Sequence, residues 1–181
     1  MKDKSLIVDL NSIPDWGLDL PLNLGEDWFA RWKEEDPELE FSGAGALTGR
    51  VHLSRHGKDV LVRGQLEGRL ELTCGRCLEA FELPVAADFD LLLAPGPEPV
   101  SGEEKELSAP DLDLDFYSDE IVDLEGIIRE QIILQIPLKL LCREECQGLC
   151  PLCGADLNQG KCACSEQRFD SPFAALSRLK E

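Results

Sequence analysis

Two stretches decide the fold: Asp59-Val60-Leu61-Val62-Arg63-Gly64-Gln65-Leu66-Glu67-Gly68-Arg69-Leu70-Glu71-Leu72 and, beyond Thr73-Cys74-Gly75-Arg76-Cys77, Phe81-Glu82-Leu83-Pro84-Val85-Ala86-Ala87-Asp88-Phe89-Asp90-Leu91-Leu92-Leu93. In the first, apolar side chains fall at even positions and polar ones at odd positions, Leu61 excepted. In the second the apolar phase turns odd, from Phe81 to Leu93. Period two with one apolar face marks a half-buried strand, and the change of phase fits a hairpin that turns between Cys74 and Cys77. With Gly75-Arg76 as a two-residue loop, Leu70 is expected to meet Phe81, Leu66 to meet Val85, Val62 to meet Phe89 and Val60 to meet Leu91, all on one face. Upstream, with Arg55-His56-Gly57-Lys58 as the loop, Leu53 meets Val60, Val51 meets Val62 and Leu47 meets Leu66. A three-stranded antiparallel meander follows. Gly64 and Gly68 read as bends or bulges in a strand too long to stay straight.

Outward from this core, residues 5–24 hold short apolar runs broken by Pro14, Gly17 and Pro21, consistent with one or two edge strands. Glu26 to Glu35 reads as a helix with acids in its first turn and Trp28 and Trp32 one turn apart, a pair suited to internal packing. Residues 95–110 combine proline with acid and read as a mobile loop. Leu112, Leu114 and Phe116 alternate with Asp111, Asp113 and Asp115, which predicts another strand. Asp123 can cap a helix whose apolar face is Leu124, Ile127, Ile128, Ile132 and Leu134, with strand as the alternative because of Gly126 and the isoleucines. Ser171 as cap and Pro172 at the first helical position predict a short terminal helix.

The formal net charge of the 181-residue chain is −18. By segment it is −7 over residues 1–40, +1 over 41–83, −12 over 84–125 and 0 over 126–181. The acid flanks the sheet, where it repels a nucleic-acid backbone, attracts basic protein surfaces and aids solubility. No apolar run is long enough to span a membrane. The N-terminal apolar run is too short for a signal peptide and its surroundings too acidic for a transit peptide, so a cytosolic (cytoplasmic) protein is expected.

Six of the eight cysteines lie within Cys142–Cys164. In a reducing compartment such clustering points to metal ligands before disulfides. Cys150-Pro151-Leu152-Cys153-Gly154 has the form of a zinc knuckle, in which Gly154 allows the turn that brings backbone amides toward the thiolates. The preferred site is Cys150, Cys153, Cys162 and Cys164, because the short return closes a small loop. A second site would combine Cys74, Cys77, Cys142 and Cys146, and requires the sheet tip to meet the C-terminal segment. Three other readings stand beside it. Cys74 and Cys77 can be small buried residues at a hairpin tip. A thioredoxin-like thiol role would want the pair at a helix N-terminus, not between strands. An iron–sulfur reading of Cys146, Cys150 and Cys153 would want a large α/β scaffold. His52 and His56 have no partnered nucleophile motif, there is no phosphate-binding or dinucleotide loop, and no enzyme activity or small-molecule substrate is expected.

The expected fold class is therefore α+β. It comprises a curved antiparallel β-meander tending to a partial barrel, a few helices, and a small Cys-rich, zinc-knuckle-like C-terminal unit. Residues 1–137 would form the β-rich domain and 138–181 the Cys-rich unit with its structural zinc.

Several motifs in order resemble the YceD family, a bacterial and plastid family of large ribosomal RNA subunit accumulation proteins. They are Cys74-Gly75-Arg76-Cys77-Leu78, Asp115-Phe116-Tyr117 followed by Ile121-Val122-Asp123-Leu124, Arg129 through Pro137, Gly148 through Asn158, and Ser171 through Leu176. The resemblance implies a role in accumulation or processing of 23S ribosomal RNA and in large-subunit biogenesis, and implies no catalytic residue. A protein this acidic gains little from phosphate contacts. The leading expectation is thus an accessory factor that engages a basic ribosomal protein or assembly factor through residues 84–125. Direct RNA binding by a zinc protein, with Arg50, Arg55, Lys58, Arg63, Arg69 and Arg76 as contacts, is the alternative. A thiol-disulfide oxidoreductase is a third class.

Overall fold

A computed structural model describes residues 6–96 and 114–164. Along the chain run β1 (Ile7–Asp9), a 3-10 turn (Leu10–Ser12), β2 (Leu18–Leu24), α1 (Glu26–Glu35), β3 (Phe41–Gly43), β4 (Leu47–His56), β5 (Asp59–Thr73), β6 (Ala80–Pro95), β7 (Leu114–Tyr117), β8 (Ile121–Asp123) and α2 (Leu124–Leu134). The main sheet has the order β2-β4-β5-β6-β7. β3 pairs with β5 beyond the end of β4, and β1 and β8 form a separate two-stranded ribbon. The architecture is α+β. The sheet is open and does not close into a barrel, so the tendency to a partial barrel is not realised in its connectivity.

The alternation read from the sequence is the alternation observed. Val60, Val62, Leu66, Leu70 and Leu72 of β5 are buried, as are Val85, Ala87, Phe89 and Leu93 of β6. They share one core with Trp28, Phe29 and Trp32 of α1 and Leu124, Ile127, Ile128 and Ile132 of α2, so the helices cover the apolar side of the sheet. The opposite face carries Arg63, Gln65, Glu67, Arg69 and Glu71.

The register differs from expectation by two residues in both hairpins. Leu70 pairs with Leu83, Leu66 with Ala87, Val62 with Leu91 and Val60 with Leu93. The cause is the turn. Cys74 N–H donates to the Glu79 carbonyl (2.9 Å), Leu78 N–H donates to the Cys74 carbonyl (3.0 Å), and the first ladder pair is Thr73 with Ala80, so all of Cys74–Glu79 is turn. In the other hairpin Gly57-Lys58 alone forms the loop, and Leu53 meets Val62. An even shift returns every side chain to its original face, which is why burial is unaffected.

Two further expectations are corrected. The β5–β6 ladder runs unbroken from Val60–Leu93 to Thr73–Ala80, so neither Gly64 nor Gly68 marks a bulge. Each makes room instead, Gly64 for the Phe89 ring and Gly68 for Leu47. Of the strand expected over 111–116, residues 111–113 lie outside the described residues, and the rest is present in β7, which pairs parallel to β6 and makes the sheet mixed.

Both described helices start where the sequence places them. Asp123 Oδ1 accepts from Gly126 N–H (3.1 Å) and caps α2. Leu134, assigned to the apolar face of α2, is instead exposed. The terminal helix over 171–180, and residues 97–110 of the expected acidic loop, lie outside the described residues.

Candidate metal centre at the sheet tip

The β5–β6 turn carries Cys74 and Cys77 past the end of the sheet, where the chain after α2 returns to meet it. Gly75 N–H donates to the Leu140 carbonyl (2.8 Å) and Leu149 N–H to the Arg76 carbonyl (3.2 Å). The Arg76 guanidinium donates to the Cys146 carbonyl at 2.8 Å. Gly148 has φ +72°, and a Cβ there would press on the Arg76 carbonyl, so glycine is required for this approach.

These contacts bring Cys74, Cys77, Cys142 and Cys146 together, every Sγ within 4.8 Å of the others. The Cys74–Cys146 and Cys77–Cys142 sulfur separations are 3.8 and 3.7 Å, far beyond the roughly 2.05 Å of a disulfide. Cys74, Cys77 and Cys146 are buried, and Phe81, Leu141 and Leu149 pack around them.

The second group follows immediately. Cys150 N–H donates to the Ala155 carbonyl (2.8 Å) and Gly154 N–H to the Cys150 carbonyl (2.9 Å), a tight loop with Gly154 at φ +71°. It brings Cys150 and Cys153 to Cys162 and Cys164, again with all Sγ atoms within 4.8 Å. Cys150 is buried, whereas Cys153 and Cys164 are exposed. Both quartets can hold a metal ion.

The cysteines within each quartet differ in their electrostatics. For Cys74, burial is the largest influence and pushes the thiol up, yet backbone N–H groups of Cys77, Cys142 and Arg76 together outweigh it and bring the pKa down to about 6. Cys142 beside it is pushed up to about 12, first by burial and then by hydrogen bonding to Cys77, Cys146 and Cys74. In the second quartet the backbone N–H groups of Cys153 and Leu152 lower Cys150 to about 6. Hydrogen bonding to Cys153, followed by burial, raises Cys164 to about 12. Each quartet thus pairs a cysteine lowered by backbone N–H groups with one raised by burial and its neighbouring sulfurs.

Residues not singled out as site residues complete the centre. Asn158 Nδ2 donates to Cys146 Sγ (3.5 Å) and to Asp156 Oδ1 (2.8 Å), while Asn158 Oδ1 accepts from Gln147 N–H (2.8 Å). The sequence signal was Asp156-x-Asn158, a pattern prone to side-chain turns.

The sheet cations weighed as RNA contacts are mostly engaged within the chain. Arg63 pairs with Asp90 (3.2 Å) and Arg69 with Glu82 (3.0 Å). Arg50 donates to Gln65 and Arg55 to the Leu10 carbonyl. His52 meets Asp19 at 2.9 Å, and His56 meets Ser54 at 3.2 Å. Among the described residues no helix is long and apolar enough to cross a membrane.

Residues 62–180, which include both quartets, match the family described as "Large ribosomal RNA subunit accumulation protein YceD". The chain belongs to the YceD family. Curated relatives named "Large ribosomal RNA subunit accumulation protein YCED homolog 1, chloroplastic" are 29% identical over 152 residues in Arabidopsis thaliana and 30% identical over 153 residues in Zea mays. These alignments cover 72% of this chain and 47% and 51% of the respective relatives. An uncharacterized protein of Mycobacterium tuberculosis is 33% identical over 98 residues, 54% of this chain and 45% of the relative. The chain spans about half the length of these curated relatives, and no solved structure matches it.

Proposed function

We propose that this chain is a non-enzymatic accessory factor in large ribosomal subunit biogenesis. It supports accumulation or processing of 23S ribosomal RNA by binding a basic ribosomal protein or assembly factor in the cytoplasm. Residues 1–137 form its β-rich body. Residues 138–181 form a unit stapled by structural zinc through Cys150, Cys153, Cys162 and Cys164, with a second zinc at Cys74, Cys77, Cys142 and Cys146.

The role in ribosomal RNA accumulation rests on membership of the YceD family. The zinc assignment is supported by sulfur spacing: four bonds of about 2.3 Å in a tetrahedron put ligand sulfurs about 3.8 Å apart, and the paired separations in the first quartet are 3.8 and 3.7 Å. A protein partner is favoured over RNA by the charge arrangement. Arg63 and Arg69 ion-pair at the surface with Asp90 and Glu82, Arg76 donates to the Cys146 carbonyl, and the −12 segment 84–125 has only one basic residue of its own, Lys105. Among the described sheet cations, Arg50, Arg55, Arg63, Arg69 and Arg76 each have a partner within the chain, which lessens what they gain by displacing counterions from RNA.

The test is an affinity pull-down read by mass spectrometry and RNA sequencing, with filter binding to 23S fragments alongside. The expected result is a basic protein captured at low salt and released at high salt, with capture weakened by deletion of residues 95–110. Nuclease-sensitive capture, or filter binding abolished by Arg50→Ala and Arg63→Ala, would replace this reading with direct RNA contact.

A further inference from the structure

The two cysteine quartets are joined by more than chain continuity. The return between Cys153 and Cys162 is the loop that a metal at the second quartet closes, and it carries Asn158. From that loop the Asn158 amide reaches back to the first quartet, donating to Cys146 Sγ and accepting from the N–H of Gln147, the residue that follows Cys146. Asp156 fixes the amide by accepting from Asn158 N–H (2.9 Å) and Nδ2 (2.8 Å). The backbone adds Leu157 N–H to the Gly148 carbonyl (2.9 Å) and a bridge between Leu149 and Asp156. A hydrogen-bond donor to a ligand sulfur sets its orientation and tempers its charge, and such partners influence metal affinity strongly.

We infer that the quartets form one coupled two-metal centre, in which metal at Cys150, Cys153, Cys162 and Cys164 strengthens metal binding at Cys74, Cys77, Cys142 and Cys146 through Asn158. This rests on the zinc reading above. The burial is unequal in a way that gives the coupling a direction. The first quartet is mostly interior, whereas the second exposes Cys153 and Cys164, so a chelator or a competing thiol protein reaches the second metal first. Its loss frees the 154–161 return, removes the donor from Cys146 and loosens the clamp between the sheet tip and the following segment. The centre then responds to zinc supply through its exposed half. Reciprocity requires that metal at the first quartet tightens the second by the same factor.

The test is a double-mutant cycle on the full-length chain. Zinc affinity of the first quartet is measured by chelator competition and native mass spectrometry in the unaltered chain, in Cys162→Ser/Cys164→Ser, in Asn158→Ala and in the triple variant. The expected result is that loss of the second quartet weakens the first by about fivefold or more when Asn158 is present and has no effect in the Asn158→Ala background. Asn158→Asp, which keeps an acceptor for Gln147 and loses the donor to Cys146, should resemble Asn158→Ala. Alkylation of Cys74, Cys77, Cys142 and Cys146, followed by peptide mass spectrometry, should speed up in the same variants. Two zinc ions bound with first-quartet affinity indifferent to Cys162→Ser/Cys164→Ser would overturn the coupling and leave the zinc reading standing. A chain that binds no zinc would overturn both.

Discussion

Gly64 shows how one residue's role depends on a register that alternation alone leaves open. It sits opposite Phe89, and a Cβ at Gly64 would collide with Cζ at the tip of the aromatic ring. Gly64→Ala is therefore expected to destabilise the protein by about 1–3 kcal/mol through overpacking, measured as a lower urea midpoint with an unchanged slope. Phe89→Leu in the same chain should recover part of the loss. From the sequence, Gly64 reads as a bend or bulge, because a glycine at an inward position of a strand is compatible with either or with close approach. Only the partner strand's register distinguishes them. That register depends on how many residues the Cys74–Glu79 turn takes up, and its closing bonds involve Leu78 at φ +62°, a conformation no pattern announces in leucine.

At the scale of elements, α1 was legible from its first-turn acids Glu26 and Asp27, and α2 from its Asp123 cap with strand as the alternative, because these are local features. How they are fastened was not. Arg129 of α2 ion-pairs with Glu35 of α1 (2.6 Å) and with Glu125 one turn back (2.7 Å), and its guanidinium lies 5.8 and 5.3 Å from the Trp28 and Trp32 ring centres. The Trp pair was legible as packing, but its cation comes from about a hundred residues away, and nothing local connects them. Arg129→Lys keeps the charge and loses the planar fork, so it is expected to cost about 1–3 kcal/mol. Arg129→Ala, which also uncovers both rings, should cost more. Thermal unfolding followed by Trp fluorescence checks the order of the three proteins; equal stability of the Lys variant and the parent would show that point charge alone fastens the helices.

For the molecule as a whole, the sequence displayed the sheet and the cysteine pairs, since period-two patterning and closely spaced cysteines are written locally. It did not display the bonds that hold the set at the sheet tip, such as Gly75 to Leu140 and Arg76 to Cys146, because they join residues distant in the chain. These bonds separate two kinds of stability. The main apolar core runs through the sheet, α1 and α2 and includes none of the eight cysteines, whereas the tip cluster is made of Cys74, Cys77 and Cys146 with a few apolar neighbours. If zinc is the staple, its removal should act locally. In hydrogen exchange, a zinc chelator is expected to expose the amides of Gly75, Leu149, Cys150 and Leu157, whose acceptors lie within the tip, and to leave those of Val62 and Leu66 in β5 protected. Acidification should have the same effect, because protons compete with the metal for the thiolates. Loss falls on the low-pH side, and zinc returned at neutral pH should restore protection. Collapse of β5 and β6 protection on chelation would mean that the metal determines the whole fold; unchanged protection at the tip would mean that hydrogen bonds alone hold it and that the cysteines are dispensable for docking.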